Sequence, residues 1–288
     1  MRRLFKSTSY ALLACVLASL AFSIYVYFAT TRMFDQRYPV VAAAIAPTTG
    51  PEAIARGKAL ADRTGCTDCH KADLRGGLFH DGGLLEGRYY ASNLTLKAAK
   101  YSDEDLVRIV RQGVRPDGRS VYAMPSSGFV RLTDAEMADI IAFVRSLPAG
   151  GIEQPEHYIG PLDRWGLLNA AHGFKFMVSY VADEQRRDPV DAGPQHAVAR
   201  HLTSIACREC HAGDLTGNGW DSDAPDLAVA TSYNLPQFTR LLRTGIGVDG
   251  KEHGLMTTVA RGRLYHLTDQ EIAGIHAYLV ARAALPRR

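Results

Sequence analysis

Cys66-Thr67-Asp68-Cys69-His70 and Cys207-Arg208-Glu209-Cys210-His211 decide how the rest of the chain is read. Each is C-x-x-C-H, the attachment signature of c-type haem. The spacing has a chemical reason. Two thiols must reach two vinyl groups on one porphyrin edge, and the next residue must present an imidazole to the iron. Two copies, using four of the five cysteines, predict two covalently bound haem c groups. Cys66, Cys69, Cys207 and Cys210 are the expected thioether donors, and His70 and His211 the proximal iron ligands.

Other uses of paired cysteines fit less well. Zinc sites place their second pair about 12–20 residues after the first, whereas here it follows 141 positions on. A thioredoxin-like pair would sit in a βαβ pattern, which neither copy shows, and would leave the following histidines unexplained. A disulfide across two residues closes a loop that constrains little.

The chain also repeats itself around these motifs. Leu106-Val-Arg-Ile-Val-Arg-Gln-Gly113-Val-Arg-Pro-Asp117-Gly118 matches Phe238-Thr-Arg-Leu-Leu-Arg-Thr-Gly245-Ile-Gly-Val-Asp249-Gly250, an offset of 132 that also pairs Met124 with Met256. Leu132-Thr133-Asp134-Ala-Glu136 likewise matches Leu267-Thr268-Asp269-Gln-Glu271. Each unit reads as a helix leading into the cysteines (51–64; 196–204), then a second helix ending at Gly113 or Gly245. A loop then delivers the methionine. The last helix opens with a capping box, Thr133-x-x-Glu136 or Thr268-x-x-Glu271. Its expected buried face is Met137, Ile140, Ile141 and Val144, or Ile272, Ile275 and Leu279. Almost nothing reads as a strand, so the fold is expected to be all-α.

Met124 and Met256 occupy equivalent positions, 54 and 45 residues after their histidines. A thioether there can take the distal side of the iron. Pro125 fixes the backbone after Met124. Thr257 follows Met256, and His253 and His266 are rivals for that second distal position. The ordinary role of methionine as a core gap filler suits Met33, Met137 and Met177. His80, His157, His172, His196, His201 and His276 read as surface or core-edge residues. Asn93-Leu94-Thr95 matches a glycosylation sequon but reads as local turn bonding.

The 288 residues are 47% hydrophobic and 22% charged with a net charge of +3. That suffices for two cored domains and gives no footing for nucleic acid. At the N-terminus Arg2, Arg3 and Lys6 precede an uncharged stretch, Ser7 to Thr31, whose apolar heart from Ala11 to Ala29 has 19 residues. At about 1.5 Å per residue this spans a bilayer core. Tyr10 lies at one end and Tyr25, Tyr27 and Phe28 at the other, as interfacial aromatics do. The positive flank predicts that everything after residue 31 lies outside the cytoplasm, where c-type haem is attached. The alternative is a cleaved signal peptide with a site near Ala18-Ser19-Leu20-Ala21. Leu12-Leu13-Ala14-Cys15 resembles a lipoprotein box, but the apolar run before Cys15 is too short for one.

At these motifs the chain resembles the membrane-anchored dihaem cytochromes c of bacteria, built from two class I cytochrome c domains. The likeness covers about 52–148 and 196–285. It is carried by C-x-x-C-H, by Arg111-Gln-Gly-Val-Arg-Pro-Asp-Gly118, by Ala123-Met124-Pro125 and by the Leu-Thr-Asp-x-Glu helix start. It implies two tandem cytochrome c domains after an N-terminal transmembrane helix. The expected layout is an anchor (or signal peptide) at 1–31, a linker at 32–50, domains at 51–148 and 196–288, and a connector at 149–195. In such domains a glycine lets the first helix cross an aromatic of the last. Gly57 and Phe143 fit this in the first domain. The second has Tyr278, but Val198 stands where the glycine would. Three-haem relatives carry a further C-x-x-C-H, which these residues do not contain.

The connector holds Trp165, Leu167, Leu168, Phe174, Phe176, Met177 and Val178, enough for a short packed helix. Asp163, Arg164 and Lys175 argue against a second membrane span. It could pack across both domains or offer a partner surface.

Domains of this kind resemble the cytochrome subunits of periplasmic alcohol, aldehyde and related dehydrogenases. The resemblance implies an electron carrier on the periplasmic side of the cytoplasmic membrane. It would be held to lipid by its N-terminal helix, with a dehydrogenase as donor and a cytochrome or oxidase as acceptor. No residue need act as acid, base or nucleophile. The alternatives are a dihaem redox enzyme of peroxidase or thiosulfate-oxidising type, with one open haem at the second site, or a subunit that holds a dehydrogenase at the membrane.

Overall fold

A computed structural model describes residues 2–169, 176–217 and 223–286. His172, Phe174 and Lys175, noted above, lie outside the described residues. Helix α1 (Arg2–Phe34) is followed by an extended segment. The first repeat unit comprises α2 (Pro51–Arg63), α3 (Cys66–His70), α4 (Leu94–Lys100), α5 (Asp103–Val107) and α6 (Asp134–Ser146). The connector contributes α7 (Pro161–Leu168) and α8 (Met177–Glu184). The second unit comprises α9 (Ala197–Ala206), α10 (Arg208–His211), α11 (Leu235–Thr244), α12 (Leu255–Gly262) and α13 (Asp269–Ala283).

The repeat has the local chemistry its sequence predicts. Thr133 and Thr268 each accept from the N3 backbone N–H, while Glu136 and Glu271 reach back to the cap. Ser102–Asp105 and Asn234–Gln237 form two further capping boxes at the starts of α5 and α11. Gly113 and Gly245 close those helices in the left-handed region, at φ 67° and 74°, where glycine avoids the Cβ penalty. In the first unit α5 runs on as a π-helical turn, Arg108–Gln112; in the second, α11 is α-helical throughout. Met137, Ile140, Ile141 and Val144 are buried, as are Ile272, Ile275 and Leu279. Buried residues of both units join in one apolar cluster.

The helix crossings differ between the units. Gly57 sits directly on the backbone of α6, where a Cβ would lie 1.8 Å from the Asp139 carbonyl oxygen. Phe143, one turn on, is buried. In the second unit Val198 points to solvent, 81% exposed. The close contact moves one residue along and changes sides: Gly274 of α13 faces Ala199 of α9. A small-residue crossing survives with the glycine on the other helix.

Among the described residues three short strands add to the helical fold. The hairpin β1 (Gly77–Asp81) and β2 (Gly87–Ala91) pairs antiparallel, and β3 (Tyr158–Ile159) joins β2. The glycine- and aspartate-bounded aromatic run 77–91 is the kind of signal that marks a hairpin. Asn93 is fully buried. It accepts from the Thr95 and Leu96 N–H groups and donates to the carbonyls of Gly150 and Ile152, so it acts as a cap and tie.

Among the described residues one helix is long and apolar enough to cross a membrane. Its span Tyr10–Phe34 has mean hydropathy 2.2 and is almost wholly uncovered by protein.

Candidate haem sites

The four motif cysteines sit on or beside the short helices α3 and α10, half-buried and free of disulfides. Burial raises the Cys66 and Cys69 thiols, and it pushes Cys207 up to about 12. They are held as neutral thiols. Among the described residues no three His, Cys, Asp or Glu side chains come together as a metal-ligand group. The two cysteine pairs are separate stations.

The histidines carry the most direct structural signal. His70 Nδ1 lies 2.8 Å from the Ser92 carbonyl oxygen, and His211 Nδ1 lies 2.8 Å from that of Pro225. A carbonyl only accepts, so in each ring Nδ1 carries the proton and donates, which leaves the Nε2 lone pair for a metal. Burial also lowers the His70 pKa, which favours the neutral, ligating imidazole. Neither carbonyl could be picked from side-chain identity, because any residue supplies one. With thiols outside any disulfide, oriented imidazoles and an apolar surround, these residues fit a covalently attached haem.

Both methionines lie partly buried against the apolar cluster. Met124 is in a bend before a short 3-10 turn, Ser126–Phe129. Met256 differs from the loop placement expected above, because it lies in the first turn of α12. Thr257 holds that turn: its hydroxyl donates to the Gly245 carbonyl at 2.9 Å and accepts from the His253 N–H at 2.8 Å. His253 is exposed and faces Asp249 at 3.3 Å. The His266 ring packs at a tilt against that of Tyr265. The other described histidines have structural partners: His201 with Glu136, His276 with the Tyr233 carbonyl, His157 with the Tyr90 N–H, and His80 and His196 with tyrosine rings.

The two stations meet at one arginine that the sequence did not single out. Arg263 Nε pairs with Asp68 at 2.6 Å and its Nη1 with Glu209 at 2.7 Å. These carboxylates occupy the same place in the two motifs, just before Cys69 and Cys210. Burial opposes the charge on Arg263, but Glu209 and Asp68 outweigh it and raise its pKa. The junction is reciprocal elsewhere too. Arg63 of α2 bonds Glu271 at 2.8 Å, and His201 of α9 bonds Glu136 at 2.8 Å, so each leading helix holds the capping glutamate of the other unit. Gly128 packs on Glu209 and Gly262 on Asp68. Arg208 is wholly buried and bonds the Glu184 carboxylate and the carbonyls of Glu184 and Arg187. The connector therefore does pack across both units.

Arg263→Gln should be costly. It leaves two carboxylates facing one another with no cation between them. A broken buried pair costs about 3–5 kcal/mol, and partial exposure of Asp68 brings the expectation to about 2–3 kcal/mol. Thermal unfolding should show roughly 4–10 °C of loss. Arg263→Lys should recover only part of it, since an ammonium cannot span both partners as a fork does. An unchanged midpoint in both variants would mean the contact carries no weight.

The sequence model of the cytochrome c family matches residues 54–148 and 191–282. The chain belongs to the cytochrome c family. Members of this family carry covalently bound haem c, which the two matched regions of this cytochrome c accommodate in cysteine and histidine content. It is 26% identical over 264 residues to the fructose dehydrogenase cytochrome subunit of Gluconobacter japonicus, covering 78% of this chain and 52% of that protein. It is 28% identical to the gluconate 2-dehydrogenase cytochrome c subunit of Pantoea cypripedii, covering 80% and 60%. It is 26% identical to the cytochrome c subunit of the quinone alcohol dehydrogenase of Gluconobacter oxydans (strain 621H), covering 81% and 55%. This cytochrome c thus spans a little over half the length of the curated relatives it matches.

Proposed function

We propose that this chain is a dihaem electron carrier, anchored in the cytoplasmic membrane by α1, that takes electrons from a periplasmic dehydrogenase and passes them toward the respiratory chain. The observation that carries this reading is the matched pair of imidazoles, each held through Nδ1 by a backbone carbonyl beside two thiols outside any disulfide. Haem c bound there supplies a one-electron iron couple. Cys66 and Cys69 would hold one group and Cys207 and Cys210 the other. His70 and His211 would ligate from the proximal side.

Met124 and Met256 would ligate from the distal side. Both face the apolar cluster, whereas His253 is exposed and tied to Asp249, which favours the thioether. The buried faces of α6 and α13 keep water from each site, and a dry pocket with a thioether ligand raises the potential. Arg263 holds both motifs in one junction, so the two stations keep a fixed relation for transfer between them. The dehydrogenase donor rests on the names of the relatives.

Ligand substitution tests the carrier reading. Met124→Ala and Met256→Ala should each remove half of the sulfur-to-iron band at the red end of the ferric spectrum and lower one of two midpoint potentials. Both haems should stay attached. Rapid binding of cyanide or peroxide at one haem of the unmodified protein would overturn this reading in favour of a redox enzyme with an open site. A full band in the Met256→Ala protein would move the second distal ligand elsewhere.

A further inference from the structure

Leu84, Leu85, Leu162 and Trp165 are 73%, 62%, 53% and 43% exposed. Single exposed apolar residues need no account, but these four stand on two segments bonded to each other. The Leu162 N–H donates to the Leu85 carbonyl at 3.0 Å, and the Gly160 N–H donates to that of Glu86 at 2.8 Å. The Tyr158 hydroxyl donates to the Leu84 carbonyl at 3.0 Å. The segments are the tip of the β1–β2 hairpin and the start of α7. A hairpin tip is where polar residues are usual, and this one is Gly-Gly-Leu-Leu.

The same short helix α7 is docked on α1. The Trp165 ring meets Phe22 edge to face at 5.1 Å. The Arg164 guanidinium lies over the Tyr27 ring at 4.6 Å and bonds Thr30 Oγ1 at 2.7 Å. Val26 and Thr30, on the α1 face between these contacts, are buried. Phe22 lies twelve residues before the end of α1, about 18 Å along the helix, and within the apolar span. A bilayer that covers Phe22 therefore also reaches Trp165.

We propose that Leu84, Leu85, Leu162 and Trp165 form a foot that enters the lipid interface beside α1 and sets the first unit against the membrane. The occupant is a zwitterionic phospholipid surface. The nearby charge is neutral to acidic: Arg88 pairs with Asp81 at 3.0 Å, Glu86 lies 3.7 Å from the His80 imidazole, and Asp163 accepts from the Tyr89 hydroxyl. Among the described residues the foot holds no basic cluster to seek anionic lipid. Tryptophan in contact with the span, and arginine bonded at its outer end, match the chemistry of a membrane–water boundary. The foot rests on the proposal that α1 is a retained anchor, and its test separates the two.

The test uses the full-length protein in phosphatidylcholine vesicles, with a nitroxide label read for collision with oxygen and with a water-soluble nickel complex. The label is placed on Leu84→Cys, or on Gln270→Cys as an exposed reference, each in a Cys15→Ser background. A third sample is labelled at the native Cys15, which is exposed on α1. The Leu84 position should favour oxygen over nickel, as Cys15 does, and Gln270 should show the reverse. If Cys15 reads as lipid while Leu84 matches Gln270, the foot is wrong and the anchor stands. If Cys15 reads as water, or the mature chain lacks it, the anchor is wrong and the foot falls with it.

Discussion

A protein in which Cys207 and Cys210 are both replaced by serine is expected to carry one covalent haem per chain instead of two. Thioether bonds require thiols, and none of the four motif cysteines is committed to a disulfide. Cys66 and Cys69 belong to a station with its own imidazole, carbonyl tether and buried helix, α6. The first haem should therefore be retained. The second unit should lose more than its cofactor. Phe238, Leu242, Leu264, Leu267, Ile272 and Ile275 belong to its share of the apolar cluster, and without porphyrin much of that surface would face a void or water. A buried void costs contacts that the surrounding side chains cannot fully recover by collapse. The Cys66→Ser, Cys69→Ser protein should mirror this result. Pyridine haemochrome per chain, with intact mass after acid–acetone extraction, gives the count directly. Two haems in either double variant would separate attachment from these cysteines and remove the basis of the two-station reading.

Much of this architecture was legible because it is written in short-range patterns. The capping boxes at Thr133 and Thr268, the stops at Gly113 and Gly245, and the buried faces of α6 and α13 each depend on residues within a few turns of one another. The repeat, at an offset of 132 for the glycine stops and 135 for the capping boxes, then doubled these local inferences. What escaped the sequence is long-range or backbone-borne. The Ser92 and Pro225 carbonyls orient the imidazoles without any side-chain signature. Arg263 reaches Asp68 across 195 positions, and nothing in its neighbourhood distinguishes it from the chain's other arginines. The connector's split role, α7 on α1 and α8 under the second motif, needed the fold to bring Arg164 to Thr30 and Arg208 to Glu184. The missing glycine at Val198 correctly signalled that the second crossing is built differently. It did not reveal that the small residues are Ala199 and Gly274.

That difference between the crossings makes the same substitution act with opposite sign in the two units. Gly57→Ala places a methyl 1.8 Å from the Asp139 carbonyl oxygen, 2.4 Å from its carbon and 3.0 Å from the Ile140 nitrogen. These are backbone atoms of a helix and cannot turn aside as a side chain would. Asp139 is further held by Arg56 at 2.6 Å and Thr48 at 2.9 Å. The helices α2 and α6 must therefore separate, and Met137, Ile140, Ile141 and Phe143 move with α6 out of the core they fill. Overpacking of this kind costs about 1–3 kcal/mol, and a clash with backbone belongs at the upper end, so the unfolding midpoint should fall by roughly 6–12 °C. Gly274→Ala meets only the Ala199 methyl at 3.6 Å, an ordinary contact. There the helix propensity gain of about 0.5–1 kcal/mol on replacing glycine by alanine should dominate, and the midpoint should hold or rise slightly. Thermal unfolding of the two single variants side by side decides the matter. Equal losses at both positions would mean that the second crossing is as tight as the first. A harmless Gly57→Ala would mean that α2 and α6 do not meet where Gly57 brings them together.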